Sequence, residues 1–304
     1  MGEPCQLLRN GCNPTRLRGF DTPPIVGALA TGGHAVSDAD SAFTGKIPAL
    51  YDQHLGPMLF QPYARDLARR LQGLVAGHVL ETAAGTGIVT HALAASLPDA
   101  VAITATDLNQ PMLDHAAAKP GAARVTWRQA DAQALPFAEG SFDAVVCQFG
   151  VMFFPEKVEA YREARRVLKP RGHFFFNVWD RISENEFADV VTEALATLFP
   201  KDPPRFMART PHGYHNVEKI REELIAAGFA DISIETVDHS SRAASPRDPA
   251  IAYCQGTPLR NEIEARDATL LEEATKAAAD ALARRFGSGP VEGRIRAHVI
   301  TATG

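Results

Sequence analysis

What is scarce in this chain narrows its class before any motif is considered. No window approaches the roughly 18 to 20 consecutive apolar residues that a membrane span requires, although 45% of the 304 residues are hydrophobic. No membrane span is therefore expected. A positive surplus is also missing: 31 Lys and Arg stand against 36 Asp and Glu, a formal charge of -5. No overall positive field would draw the protein onto DNA, RNA or an anionic membrane surface. Nucleic acid is not expected as a partner, and a small molecule is the easier reading. The four cysteines, Cys5, Cys12, Cys147 and Cys254, are scattered without a C-x-x-C pair or a His at ligand spacing. That excludes a disulfide framework and a structural zinc site, so no metal is expected, and reduced thiols fit a cytoplasmic setting. Cys147, inside Ala144-Val145-Val146-Cys147, reads as a small buried hydrophobe. The N-terminus carries Arg9, Arg16 and Arg18 but lacks the apolar stretch of about 7 to 15 residues of a secretory signal.

The length is enough for one large domain with a sizeable core and a lid. Residues 1–36, rich in Gly, Pro, Asn and Thr without a hydrophobic period, read as a flexible leader. Residues 37–304 read as a single domain: N-terminal lid helices over 37–76, a core over 77–180, and lid insertions with C-terminal strands over 181–304. Leu59, Phe60, Tyr63, Leu67 and Leu71 fall at three- and four-residue steps, which predicts an amphipathic helix from Pro57 to Leu74 after a shorter helical piece at 46–55.

From residue 77 short apolar runs alternate with helical segments, the pattern of βαβ units and a mainly parallel sheet. Strands are expected at 77–81, 101–106, 124–129, 142–148 and 172–179, with helices at 88–97, 110–118 and 156–168. Beyond Trp179 the alternation lapses. Helices are expected at 185–199 and 217–227, strands at 230–237 and 294–301, and a helical stretch over 246–286 with a solvated, charge-alternating face.

The sharpest local signal is Val79-Leu80-Glu81-Thr82-Ala83-Ala84-Gly85-Thr86-Gly87-Ile88, a strand that ends in an acid and turns through small residues into a helix. Small residues let backbone pass close to a ligand, and the new helix presents unpaired N–H groups there. Alone, the G-x-G turn is shared by nicotinamide, flavin and sulfonium binders. Twenty positions after Gly87, Asp107 closes the second strand, where a carboxylate can accept hydrogen bonds from both hydroxyls of a ribose. The competing role is a solvated helix cap. Asp131 follows the third strand in Gln129-Ala130-Asp131-Ala132, ahead of Leu135-Pro136-Phe137. It can accept from the exocyclic amine of adenine, or it can be a turn-forming Asp.

Together with Ser141-Phe142-Asp143-Ala144-Val145-Val146 and Arg166-Val167-Leu168-Lys169-Pro170-Arg171-Gly172, these pieces resemble the successive motifs of the class I S-adenosylmethionine-dependent methyltransferase superfamily. The resemblance covers residues 77–180 and is strongest to the small-molecule branch that includes the ubiquinone/menaquinone C-methyltransferases. It implies an α/β, doubly wound, Rossmann-like sheet of seven strands in the order 3-2-1-4-5-7-6, the last strand antiparallel, with helical lid insertions. It implies S-adenosylmethionine as cofactor. Glu81, Ala83, Gly85 and Gly87 would surround its methionine part, Asp107 its ribose with Leu108 and Met112 lining the adenine side, Asp131 and Ala132 the adenine edge, and Gln148 the sulfonium.

Two departures stand out. Ala83 replaces the first glycine of the family's E/D-x-G-x-G-x-G pattern, and Pro170-Arg171-Gly172 replaces Pro-Gly-Gly. The methyl of Ala83 is tolerable if its φ is negative, and cofactor affinity is what it bears on. The resemblance implies methyl transfer to an oxygen, carbon or nitrogen atom of a small molecule. Gln148-Phe149-Gly150-Val151 stands where amino-group methylators carry N/D-P-P-Y/F, which tilts the reading towards oxygen or carbon.

The sulfonium supplies its own driving force, so a dedicated base is optional and no catalytic residue is named. Candidates for the acceptor side are Tyr51, His54, Phe60 and Tyr63 before the first strand, Phe149 and Phe153 after the fourth, and Phe206, His212, Tyr214 and His215 in the loop 200–216. Core packing is the alternative for each aromatic, and a surface or capping role for each His. The rival readings are a nicotinamide-dependent dehydrogenase, against which Thr90 stands at the third position of G-x-G-x-x-G, and a non-catalytic methyltransferase-like binding subunit.

Overall fold

The computed structural model describes residues 50–304. The leader expected over 1–36, lid residues 37–49 and the side chain of Tyr51 lie outside the described residues. Parallel strands sandwiched between helix layers must be apolar on both faces, and the sequence supplies such runs. β1 (Gly77–Glu81), β2 (Val101–Asp107), β3 (Val125–Gln129), β4 (Phe142–Gln148) and β5 (Leu168–Trp179) pair in parallel. β6 (Asp231–Ala243) and β7 (Val291–Thr303) complete one seven-stranded sheet in the order β3-β2-β1-β4-β5-β7-β6, with β7 antiparallel to both neighbours.

The helices α2 (Ile88–Ser96), α3 (Gln110–Ala117) and α4 (Lys157–Val167) are the crossovers of the parallel half. The order reverses between β1 and β4, and a ligand crevice opens beyond the carboxyl ends of the strands at such a switch point. All seven expected strands are present, with ends that differ by up to six residues.

The helix expected from Pro57 to Leu74 is divided. Tyr51–Phe60 is a π-helical stretch that runs straight into α1 (Gln61–Arg70), with Pro57 inside the first part. Tyr63, fully buried, donates its hydroxyl to the carbonyls of Val237 at 2.9 Å and Ile295 at 3.3 Å. This pins the N-terminal helices onto β6 and β7.

After β5 come α5 (Glu186–Leu198), the short α6 (Phe206–Arg209) inside the expected loop, and α7 (Val217–Ala226), whose start is capped by the Asn216 side chain. The stretch expected to be helical between β6 and β7 is α8 (Arg247–Gly256), α9 (Leu259–Asp267) and α10 (Leu271–Phe286). These helices take the place of a simple hairpin turn. α8 packs against the π-helical stretch and α10 against α5, so the insertion roofs the carboxyl ends of the central strands. Cys147 and Cys254 are both buried. Among the described residues no helix is long and apolar enough to cross a membrane, and no cluster of His, Cys, Asp and Glu could hold a metal ion.

Candidate active site

Glu81 ends β1, Asp107 ends β2 and Asp131 follows β3, so three carboxyl groups stand at the carboxyl ends of adjacent parallel strands. Glu81 is 1% exposed and accepts a hydrogen bond from the hydroxyl of Thr90 in the first turn of α2. No cation among the described residues pairs with it. Burial, reinforced by the nearby Asp107, pushes its carboxyl up to about 8 against the pull of the Thr90 bond. Thr90, which sequence reasoning used only to disfavour a dinucleotide site, thus fixes the acid at the end of β1.

Asp107 is buried and accepts from the amide of Gly85 at 2.8 Å and from the amide of Asn109 at 2.8 Å. Burial raises its carboxyl from the ordinary range, and these bonds partly offset that. The Gly85 bond ties the glycine turn to the second strand. Gly87 adopts φ +78° at the start of α2, and a Cβ there would stand 3.0 Å from both Ala116 and Trp127, so the turn needs glycine. Asp131 is half-buried and accepts from the amide of Gln133 at 2.8 Å. Its loop is held in place from α4. The Arg166 guanidinium donates to the carbonyls of Phe137 and Leu135, and Glu163 accepts from the amide of Leu135.

Of the remaining cofactor-side candidates, Leu108 is 55% exposed, Met112 is buried, and Ala132 and Gln148 are half-buried. Gln148 donates its side-chain amide to the carbonyl of Phe60 at 3.3 Å, while its own oxygen is buried with no hydrogen-bond partner among the described residues.

The condition of a negative φ at Ala83 is not met: it is +53°, the left-handed region that costs a side chain about 1 to 2 kcal/mol. Space for its methyl comes from Gly150, where an added Cβ would stand 2.5 Å from that of Ala83. The residue before it, Phe149, also has positive φ, +49°, and its amide donates to the Asn177 side chain at 3.0 Å.

Next to this turn lies a narrow apolar cavity of about 50 Å³. Phe60, Phe149, Phe153, Phe206 and His212 line it, so five of the acceptor-side candidates come together. Sequence reasoning missed Trp179 and Tyr253, which line it too. Phe149 and Trp179 stack at 3.7 Å with 6° between planes. Four candidates lie elsewhere. Tyr63 is the strand anchor described above. Tyr214 turns towards α4 and α7, its hydroxyl shared with Tyr161 and Glu223. His215 is half-buried with Nδ1 on the carbonyl of His212. His54 is half-buried and does not line the cavity.

The π-helical stretch is also fastened to the glycine turn, a contact no pattern announced. Asp52 accepts from the Thr86 hydroxyl at 3.0 Å and pairs with Lys119, which donates to the Thr86 carbonyl at 2.9 Å. Burial raises the Asp52 carboxyl, but Lys119, Thr86 and His115 outweigh it and hold the group below the usual range.

Comparison with known proteins agrees with this geometry. Residues 80–176 match the family model described as "Methyltransferase domain". The ubiquinone/menaquinone biosynthesis C-methyltransferase of Zymomonas mobilis is 27% identical over 212 residues, 66% of this chain and 86% of that protein. Among solved structures, the YcgJ protein from Bacillus subtilis is 18% identical with a TM-score of 0.51, covering 79% of this chain and 97% of that one. Phosphoethanolamine N-methyltransferase 2 from Haemonchus contortus, solved with S-adenosyl-L-methionine, is 17% identical with a TM-score of 0.55, covering 88% of this chain and 60% of that one.

Proposed function

We propose, from the premise that this chain belongs to the class I S-adenosylmethionine-dependent methyltransferases, that it moves a methyl group onto an oxygen or carbon atom of a small, largely apolar molecule. The observation that carries the reading is the row of Glu81, Asp107 and Asp131 along the ends of β1, β2 and β3, with the glycine turn bonded to the middle acid. The residues suit such a cofactor. Glu81 is a buried carboxyl without a cation among the described residues, Asp107 has lone pairs left beside its two backbone donors, and the orphaned oxygen of Gln148 stands at the carboxyl end of β4.

When bound, S-adenosylmethionine supplies an electrophilic methyl on positively charged sulfur. In the proposal Glu81 faces the charged amino-acid end, and the backbone around Ala83, Gly85 and Gly87 passes close to it. Asp107 takes the ribose hydroxyls, with Leu108 and Met112 along the adenine, and Asp131 with Ala132 reads the adenine edge. Gln148 stands beside the reacting end. The aromatic cavity holds the acceptor and keeps water out, which matters because hydrolysis competes with transfer. The mismatch with N/D-P-P-Y/F at Gln148-Phe149-Gly150-Val151 favours oxygen or carbon over nitrogen. The name of the Zymomonas mobilis relative supports carbon. A cytoplasmic location accompanies this reading.

Isothermal titration of the purified chain with S-adenosylhomocysteine and with NADH tests it. Micromolar binding of the first and none of the second is expected. Binding of NADH alone would favour a dehydrogenase, and silence towards S-adenosylhomocysteine at millimolar concentration a non-catalytic subunit.

A further inference from the structure

Two non-glycine residues with left-handed backbone face each other where the strand order reverses, Ala83 at φ +53° after β1 and Phe149 at φ +49° after β4. They meet through Gly150, where an added Cβ would stand 2.5 Å from that of Ala83. A side chain is strained in this region and stays there only where its surroundings hold it. At Phe149 the holding is done by β5. The ring stacks on Trp179, and the amide donates both to the main-chain carbonyl of Asn177 at 3.2 Å and to its side-chain oxygen at 3.0 Å.

The Asn177 side chain is not needed to satisfy that amide, because the main-chain carbonyl already accepts it. It also brings a cost of its own. Asn177 is fully buried, and its Nδ2 has no hydrogen-bond partner among the described residues. The bond from the Phe149 amide identifies the oxygen, so the unpaired group is the N–H. A buried donor left unpaired needs an explanation other than stability. The neighbours of Phe149 supply one. Gln148, the register partner of Asn177, immediately precedes it, and Gly150 presses on Ala83 in the glycine turn. A shift at residue 149 therefore moves the end of β4 and the turn after β1 together.

We infer that Asn177 is a positioning residue for the cofactor: by gripping the Phe149 amide from β5 it keeps residues 148–150 in their strained turn, and that turn holds Gln148 and Ala83 in place around the cofactor. Asn177 itself touches neither cofactor nor acceptor and acts through the backbone of Phe149. Without the second acceptor oxygen, Phe149 relaxes towards negative φ and Gly150 no longer meets Ala83 in the same way. The inference rests on the methyltransferase reading for the roles of Gln148 and Ala83.

The test is calorimetric titration of the full chain with S-adenosylhomocysteine, at a temperature where urea unfolding shows every variant folded. Asn177→Leu, of similar volume but without an acceptor, is expected to weaken binding roughly fivefold to tenfold, the value of one hydrogen bond. Asn177→Ala replaces it if the Leu variant does not fold, with the same expectation. Phe149→Gly is the second arm, because glycine adopts a positive φ without strain and has no need of the grip. In the Phe149→Gly background the Asn177 substitution is expected to change the Kd by less than about twofold. A residue that only supported the fold would not show this rescue, since the added glycine itself lowers stability. The inference is overturned if the Asn177 variant binds within about threefold of wild type, or if its loss persists in the glycine background. Wild type that does not bind S-adenosylhomocysteine refutes the methyltransferase reading instead.

Discussion

Replacing Glu81 by Gln is expected to stabilise the protein at alkaline pH and to leave it unchanged at pH 5. In the folded chain without ligand the carboxyl keeps its proton up to about pH 8, because the group is buried beside Asp107; the ordinary value is 4.5. Between those values the folded state holds a proton that the unfolded chain has lost. Stability contributed by this group is therefore fully present below about pH 4.5 and is lost progressively as pH rises to about 8. At 1.36 kcal/mol per unit, the full loss is about 3 to 5 kcal/mol. Gln cannot ionise, and its carbonyl still accepts from Thr90. Urea unfolding of wild type and E81Q at pH 5, 7 and 9, without cofactor, measures the difference; other titrating groups are common to both and cancel. The gap should open from near zero at pH 5 to about 3 to 5 kcal/mol at pH 9. A gap that stays constant across the range would refute the argument that burial without a cation sets the Glu81 carboxyl.

Three further outcomes follow from the same geometry. Asp107→Ala should weaken S-adenosylhomocysteine by about 1.5 to 3 kcal/mol, the value of hydrogen bonds to a charged group, and an unchanged Kd by calorimetry would remove its ribose role. Gly150→Ala should cost about 1 to 3 kcal/mol, since the new Cβ would stand 2.5 Å from Ala83 and 2.8 Å from the Cys147 sulfur. Ala83→Gly should recover part of that cost in a double-mutant cycle of unfolding free energies, and strict additivity would show that the two sites do not press on each other. Tyr63→Phe should lower stability by about 1 to 2 kcal/mol through the two carbonyls left without their donor. Unchanged unfolding in guanidinium would show that the hydroxyl does not fasten the lid.

The parallel half of the sheet was legible because both ends of its strands are marked by chemistry. Gly77 and Glu81 bound β1, and Phe142 and Gln148 bound β4, as expected from the sequence. The antiparallel pair was legible only in its middle. β6 continues to Ala243 and β7 begins at Val291 because the outer residues satisfy each other's backbone along the ladder, which needs no apolar pattern. The sign of φ at Ala83 left no trace, since a small residue is compatible with either hand. It is set by the close approach of Gly150, 67 positions away in the chain.

Side chains recruited across long loops were the hardest to read. Tyr253 looks like any apolar position of a helix, and only the folding of the insertion back over the sheet puts it on the cavity. His212 and Tyr214 are near neighbours in one loop, yet one lines the cavity and the other is drawn away by Tyr161 and Glu223. The latch of Asp52, Thr86 and Lys119 joins three distant segments by charge and hydrogen bonding, a signal that periodicity does not carry.

The most direct measurement is a crystal structure of the chain grown with S-adenosylhomocysteine. The account predicts density over the glycine turn, with the ribose hydroxyls within hydrogen-bond distance of Asp107 and the adenine amine facing Asp131. Density elsewhere, or a bound molecule that leaves either acid without a contact, would contradict it.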